Sequence, residues 1–105
     1  MIEPQGRRPE GEAAFSLGSR IVQASGVLAA PADGELLLIR EETNECYALR
    51  GSGVDVWEAA RRPVRVGDIC DALLGIYAID RSTCESHVLR TVEELVGRGL
   101  FVCAP

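Results

Sequence analysis

Asp33-Gly34-Glu35-Leu36-Leu37-Leu38-Ile39-Arg40-Glu41-Glu42-Thr43-Asn44-Glu45-Cys46-Tyr47-Ala48-Leu49 decides how this chain is built. The run from Glu35 to Arg40 is too short for a helix, and its unbroken aliphatic centre suits a strand covered on both faces. Asp33-Gly34 signals a turn before it, and Glu42-Thr43-Asn44 offers another after it, because Asn tolerates the left-handed conformation. Cys46 to Leu49 then returns as a second short strand, so the stretch is a hairpin. By the two-residue period of a strand, Tyr47 and Leu49 share one face and Cys46 and Ala48 the other.

Beyond Gly51 the apolar period lengthens to that of a helix. Val54, Val56, Trp57 and Ala60 line a first helix that must stop by Pro63, with Ser52 as its expected N-cap. A second is expected over Val66 to Tyr77, where Ile69, Leu73, Leu74 and Ile76 are apolar and Asp68 complements the dipole of the first turn. Asp80 or Ser82 can cap a third, whose stripe is Val88, Leu89, Val92, Leu95 and Val96. Gly97 and Gly99 end it, and Leu100-Phe101-Val102 follow as an apolar tail.

Upstream of the hairpin, Phe15, Leu17, Ile21, Val22, Val27 and Leu28 are interrupted by Gly18 and Gly26, compatible with one extended, bent strand. Met1 to Ala14 hold Pro, Gly, Glu and Arg without apolar periodicity and read as a flexible arm, residues 1–14, preceding one domain, residues 15–105. Strands first and three short helices after define an α+β domain of the winged helix-turn-helix kind: a small antiparallel three-stranded sheet followed by three helices.

Composition narrows the function. A chain of 105 residues has room for one core and no second catalytic lobe. Apolar runs such as Leu36 to Ile39 fall far below the roughly 20 residues that span a bilayer, and the amino end lacks a signal pattern, which gives the expectation of a cytoplasmic protein with no membrane partner. Net charge is -5, from 11 basic and 16 acidic residues, so the chain as a whole repels a phosphate backbone. The last helix mixes Arg90 and Arg98 with Glu85, Glu93 and Glu94 and lacks the basic stripe that a DNA-reading helix needs. A winged-helix transcriptional regulator is therefore the alternative reading, and nucleic acid is not an expected ligand. Cys46, Cys70, Cys84 and Cys103 form no CxxC pair, and His87 is the single His, so no metal site or cofactor is expected. The four are expected as reduced core residues. Cys84 and His87 stand at helical spacing, but nothing orients the His or supplies an oxyanion hole, and no catalytic residue is expected.

The order and spacing of these segments resemble the PqqD-like precursor-peptide recognition domains. The likeness is carried by Gly34 to Ile39 and Thr43 to Leu49, by Gly53 and Trp57, by Val66-Gly67-Asp68-Ile69 and Leu73 to Tyr77, and by Val88, Val92, Leu95 and Gly99-Leu100. It covers roughly Ser19 to Val102. The resemblance implies a module that binds the leader of a ribosomally made precursor peptide as a strand added to its sheet edge, in a groove walled by the last helix. It also implies a maturation enzyme as partner, such as the leader peptidase of lasso-peptide pathways.

On that basis the peptide-binding residues are expected to be Glu45, Cys46, Tyr47, Ala48 and Leu49 on the edge strand, opposed by Cys84, His87, Val88, Thr91 and Leu95. The physical reading agrees: a free edge exposes backbone donors and acceptors that an extended peptide satisfies while alternate side chains enter pockets. Such an edge can also pair with a second copy, which makes a homodimer a further expected partner. Arg50 stands where many members have a helix-capping Asn. His87 stands where an Asp is frequent, implying a different leader preference that changes as the imidazole gains its proton. The hairpin tip Glu41 to Asn44 and the Arg61 to Arg65 segment are the expected enzyme-facing surfaces.

Overall fold

The computed structural model describes residues 15–105, so the flexible arm expected over residues 1–14 lies outside the described residues. Two small antiparallel sheets and three helices enclose one core. The strands are β1 (Arg20–Gln23), β2 (Val27–Ala32), β3 (Glu35–Arg40), β4 (Glu45–Leu49), β5 (Val64–Arg65) and β6 (Phe101–Cys103). The helices are α1 (Ser52–Ala59), α2 (Val66–Leu74) and α3 (Arg81–Gly97).

The expected hairpin forms, with Leu36 opposite Leu49 and Arg40 opposite Glu45, and β2 completes a meander ordered β2-β3-β4. Asp33 and Gly34 both have positive φ, 51° and 80°, which makes the β2–β3 connection a two-residue turn whose twist matches its strands. Asn44 takes φ 59° and closes the β3–β4 turn, its N–H bonded to the Arg40 carbonyl at 2.7 Å.

Five expectations need correction. The bent strand over residues 15–28 is two strands in two sheets, separated at Gly26 (φ 75°). There β1 leaves the meander and pairs with β5 and β6 in the order β5-β1-β6. The apolar tail is therefore a strand, with Val22 opposite Val102 and Leu100 and Phe101 fully buried. Cover on both faces of β3 is also not found: Leu36 and Leu38 are buried, whereas Leu37 and Ile39 on the opposite face stay half-exposed. Ser52 does not cap α1. The N-cap is Gly51 at φ 57°, a conformation that favours glycine, and Arg50 instead reaches across the sheet to Glu35 at 2.5 Å. Finally, Cys70 and Cys84 are core residues as expected, but Cys46 and Cys103 are exposed.

Trp57 of α1 stacks on Phe101 of β6 with ring centroids 5.5 Å apart, and the Gln23 side-chain amide donates to the Trp57 carbonyl at 2.8 Å. Both ends of the described chain are thus fastened to the first helix. Around this stack lie Ile21, Leu38, Val56, Ile69, Leu73, Val88 and Val92, all at most 2% exposed. Helix α3 is set by Asp80, whose carboxylate accepts from the Thr83 N–H at 3.0 Å and the Thr83 hydroxyl at 2.8 Å.

Those bonds, the backbone N–H of Thr83 first, hold the Asp80 carboxyl below its usual value. A depressed folded value means that the cap contributes fully above the unfolded carboxylate value and is lost as pH falls through the folded one. Asp80→Ala should therefore lower the melting temperature at neutral pH. Followed by circular dichroism, the gap between the two proteins should close on the acid side of the carboxylate range.

Candidate functional site

Strand β4 is an edge: its inner side pairs with β3, and among the described residues no strand pairs with its outer side. Opposite that edge runs α3, and between them lies a groove of about 230 Å³. The strand contributes Tyr47, Ala48 and Leu49, and the helix contributes Thr91, Glu94, Leu95 and Arg98. Leu95 is 3% exposed and forms the floor. The Thr91 hydroxyl donates to the His87 carbonyl at 2.9 Å, so it is committed to its own helix rather than to the groove. At one end the Arg98 guanidinium sits 4.8 Å from the centroid of the Tyr47 ring and bonds Glu94 at 3.2 Å, a cation over an aromatic face.

Toward the amino end of α3 the surface opens into a larger cavity of about 540 Å³. Its apolar walls are Leu73, Tyr77 and Ile79, and its polar rim includes Ser82, Thr83, Ser86 and Arg90. Tyr77 donates to Asp55 at 2.6 Å, which pushes its phenol above the usual value. Ser52 and His87 line this cavity too, and their side chains are hydrogen-bonded at 2.7 Å. Ser52 follows β4 by three residues and His87 precedes Thr91 by one helical turn, so this bond ties the end of the edge strand to the helix between the two hollows. Among the described residues no strand lines the larger hollow. A backbone can be paired only in the smaller one.

The expected site residues fall into three groups. Glu45, Cys46 and Ala48 are exposed on β4, while Tyr47 and Leu49 are half-buried on the groove side. Thr91 and His87 are partly exposed on α3, and Leu95 lies beneath them. Cys84 and Val88 are corrected: both are 0% exposed and belong to the core behind the groove wall. The Cys84 thiol donates to the Cys70 carbonyl at 3.8 Å, while the His87 ring bonds Ser52, so Cys84 and His87 do not form a pair. Burial, with the neighbouring Cys84, pushes the Cys70 thiol up to about 11, which leaves it a poor nucleophile. Glu94 and Arg98 in the groove and Ser52 in the larger cavity are not among the expected site residues, although the first two follow Thr91 at three and seven residues, on the same helix face.

Among the described residues no cluster of His, Cys, Asp or Glu could hold a metal ion, and no helix is long and apolar enough to cross a membrane. The arginines at the two ends of α3 are paired with carboxylates, Arg81 with Asp71 and Glu85, and Arg98 with Glu94. That face offers no uncompensated positive stripe.

Residues 35–100 match the model of a family described as coenzyme PQQ synthesis protein D (PqqD). No curated protein matches the chain. Two solved structures share its fold. One, TbiB1 in complex with the TbiA(beta) leader peptide, is 25% identical, with a TM-score of 0.70 over 76% of this chain and 93% of that one. The other, a lasso peptide synthetase B1 complexed with the leader peptide, is 16% identical, with a TM-score of 0.70 over 78% of this chain and 96% of that one.

Proposed function

The chain belongs to the PqqD family, and from that premise we propose that it binds the leader segment of a ribosomally synthesised precursor peptide and presents it to a maturation enzyme in natural-product biosynthesis. The observation that carries this reading is the outer edge of β4, unpaired among the described residues, facing a groove whose floor is Leu95 and whose helical wall is Thr91, Glu94 and Arg98. A leader entering there becomes a fourth strand. Its backbone satisfies the edge, its alternate side chains reach Tyr47, Leu49 and Leu95, and Thr91 sets the width of the channel. The likeness to TbiB1, a protein solved with a leader peptide, supports the same reading.

The choice between the two free edges of the meander is physical. Strand β2 carries Pro31, which has no N–H to donate, and among the described residues no helix packs closely along it. Strand β4 has neither defect. Residues 15–105 are then the recognition domain, and a second copy pairing through β4 would compete with leader. The module supplies affinity and position and leaves bond-breaking to its partner. No observation favours the DNA-binding alternative, since Arg81 and Arg98, at the two ends of α3, are paired with carboxylates and Arg90 between them is a single charge rather than a stripe.

Fluorescence anisotropy of a labelled leader, taken from the precursor encoded beside this protein, tests the proposal. Saturable binding is expected, with little change when salt is raised, because the contacts are backbone pairing and apolar burial rather than counterion release. Binding of duplex DNA in preference to leader would overturn it.

A further inference from the structure

The groove and the larger hollow share one face of α3. Thr83, His87 and Arg90 line the hollow, and Thr91, Glu94 and Arg98 line the groove. At 100° per residue these six lie within about 100° of one another, a single stripe along the helix. Strand β4 runs beside that stripe in the opposite sense: Arg98, near the carboxyl end of α3, sits over Tyr47, whereas Ser52, three residues past Leu49, bonds His87. The hollow therefore opens where β4 stops.

The two hollows differ in charge. In the groove Arg98 is neutralised by Glu94 at 3.2 Å. No Asp or Glu lines the larger hollow among the described residues, and Arg90 faces it. Arg81 and Arg98 on the same helix are each bonded to carboxylates, whereas among the described residues Arg90 is bonded to none. Ser86, one turn before Arg90, presents its hydroxyl to the same rim. The wall beyond is apolar, formed by Leu73, Tyr77 and Ile79.

We infer that Arg90, assisted by Ser86, takes a carboxylate side chain of the leader, an Asp or Glu on the amino-terminal side of the segment paired to β4. This rests on the leader-binding reading above and names a chemistry that the leader must carry. Direction follows from the sheet. The meander is antiparallel throughout, antiparallel pairing is the more stable kind, and a leader antiparallel to β4 has its amino-terminal side at Leu49, next to the hollow. Distance limits the position. From Thr91 back to Thr83 the helix rises about 12 Å, the length of three or four extended residues, so the acid lies within about four residues of the one opposite Leu49.

Desolvation makes the choice a selective one. A leader laid over the hollow removes water from the Arg90 guanidinium, and a covered charge without a partner is costly. A carboxylate accepts two parallel N–H bonds from the guanidinium and a further bond from the Ser86 hydroxyl. A neutral flank leaves the charge unmet and is rejected on that ground. Because the apolar wall shelters the pair, added salt screens it weakly.

The test is a double-mutant cycle read by anisotropy. Its probe is the leader of the precursor encoded beside this protein, as wild type and with each Asp or Glu of the amino-terminal flank replaced by its amide. Its proteins are wild type, Arg90→Gln, and Arg61→Gln, which removes the same charge from a residue lining neither hollow. Arg90→Gln should weaken binding of the native leader about tenfold, and one amide replacement should do the same. Both together should be no weaker than either alone. Arg61→Gln should bind as wild type does. With Arg90→Glu, a leader carrying Lys in place of that acid should bind better than the native one.

Saturable binding by wild type with no coupling between Arg90 and any flank acid overturns the inference and leaves the leader-binding reading standing. So does a native leader with no acid in that flank, or coupling only to an acid on the carboxyl-terminal side. Failure of wild type to bind any leader removes the leader-binding reading itself, and this inference with it.

Discussion

Thr91→Arg should weaken leader binding by roughly 30-fold or more, about 2 kcal/mol, with the circular dichroism spectrum unchanged. Thr91 stands midway along the wall of a groove of only about 230 Å³, between His87 and Leu95 on the same helix. An arginine side chain there fills space that the leader backbone must occupy to reach β4. It also adds a second cation near Arg98. Because Thr91 is partly exposed and its hydroxyl bonds only its own helix, little stability is lost with it. Glu93→Ala, on an exposed position of α3 that does not line the groove, should bind as wild type does. A Thr91→Arg protein of native affinity would place the peptide elsewhere.

Phe101→Ala should cost about 3–5 kcal/mol of stability, as large aromatic truncations in packed cores do. Phe101 is 1% exposed and stacked on Trp57, and its strand holds β1, so the cavity would open where both ends of the described chain meet α1. A domain of this size has only about 5–15 kcal/mol to lose. Urea unfolding should show the midpoint falling with little change in slope. A loss below about 1 kcal/mol would mean that the Trp57–Phe101 stack is not what fastens the carboxyl end.

The hairpin was legible because everything that specifies it is local. Asp33-Gly34 and Asn44 sit where positive φ is required, and the aliphatic run between them has no other use. The helices were legible by period, and α3 also by its cap, Asp80, a local signal that the structure uses as such. The second sheet was not. Its strands come from residues 20–23, 64–65 and 101–103, and a two-residue strand has no period to read. Only the tertiary meeting of distant segments makes them strands.

The site was legible by element and less so by residue. At 100° per residue, Cys84, Val88, Leu95 and Thr91 lie within about 60° of one another on α3. Sequence therefore marks them as one face. The side of that stripe turned toward β4 carries Thr91, Glu94 and Arg98, and the other side enters the core with Val88 and Val92. Which side is which depends on how α3 packs on α2, and no local pattern encodes that. The cap of α1 is not encoded locally for a related reason: the bond that Ser52 would make as a cap competes with its bond to His87, a residue 35 positions away.

The central claim is that leader becomes a fourth strand on β4, and amide hydrogen exchange with and without saturating leader tests it most directly. Amides of Glu45–Leu49 that face away from β3 should become protected, with smaller changes in α3 and none along Val27–Ala32. Protection confined to Val27–Ala32, or to the cavity around Tyr77 and Ile79 with β4 unchanged, would contradict the account.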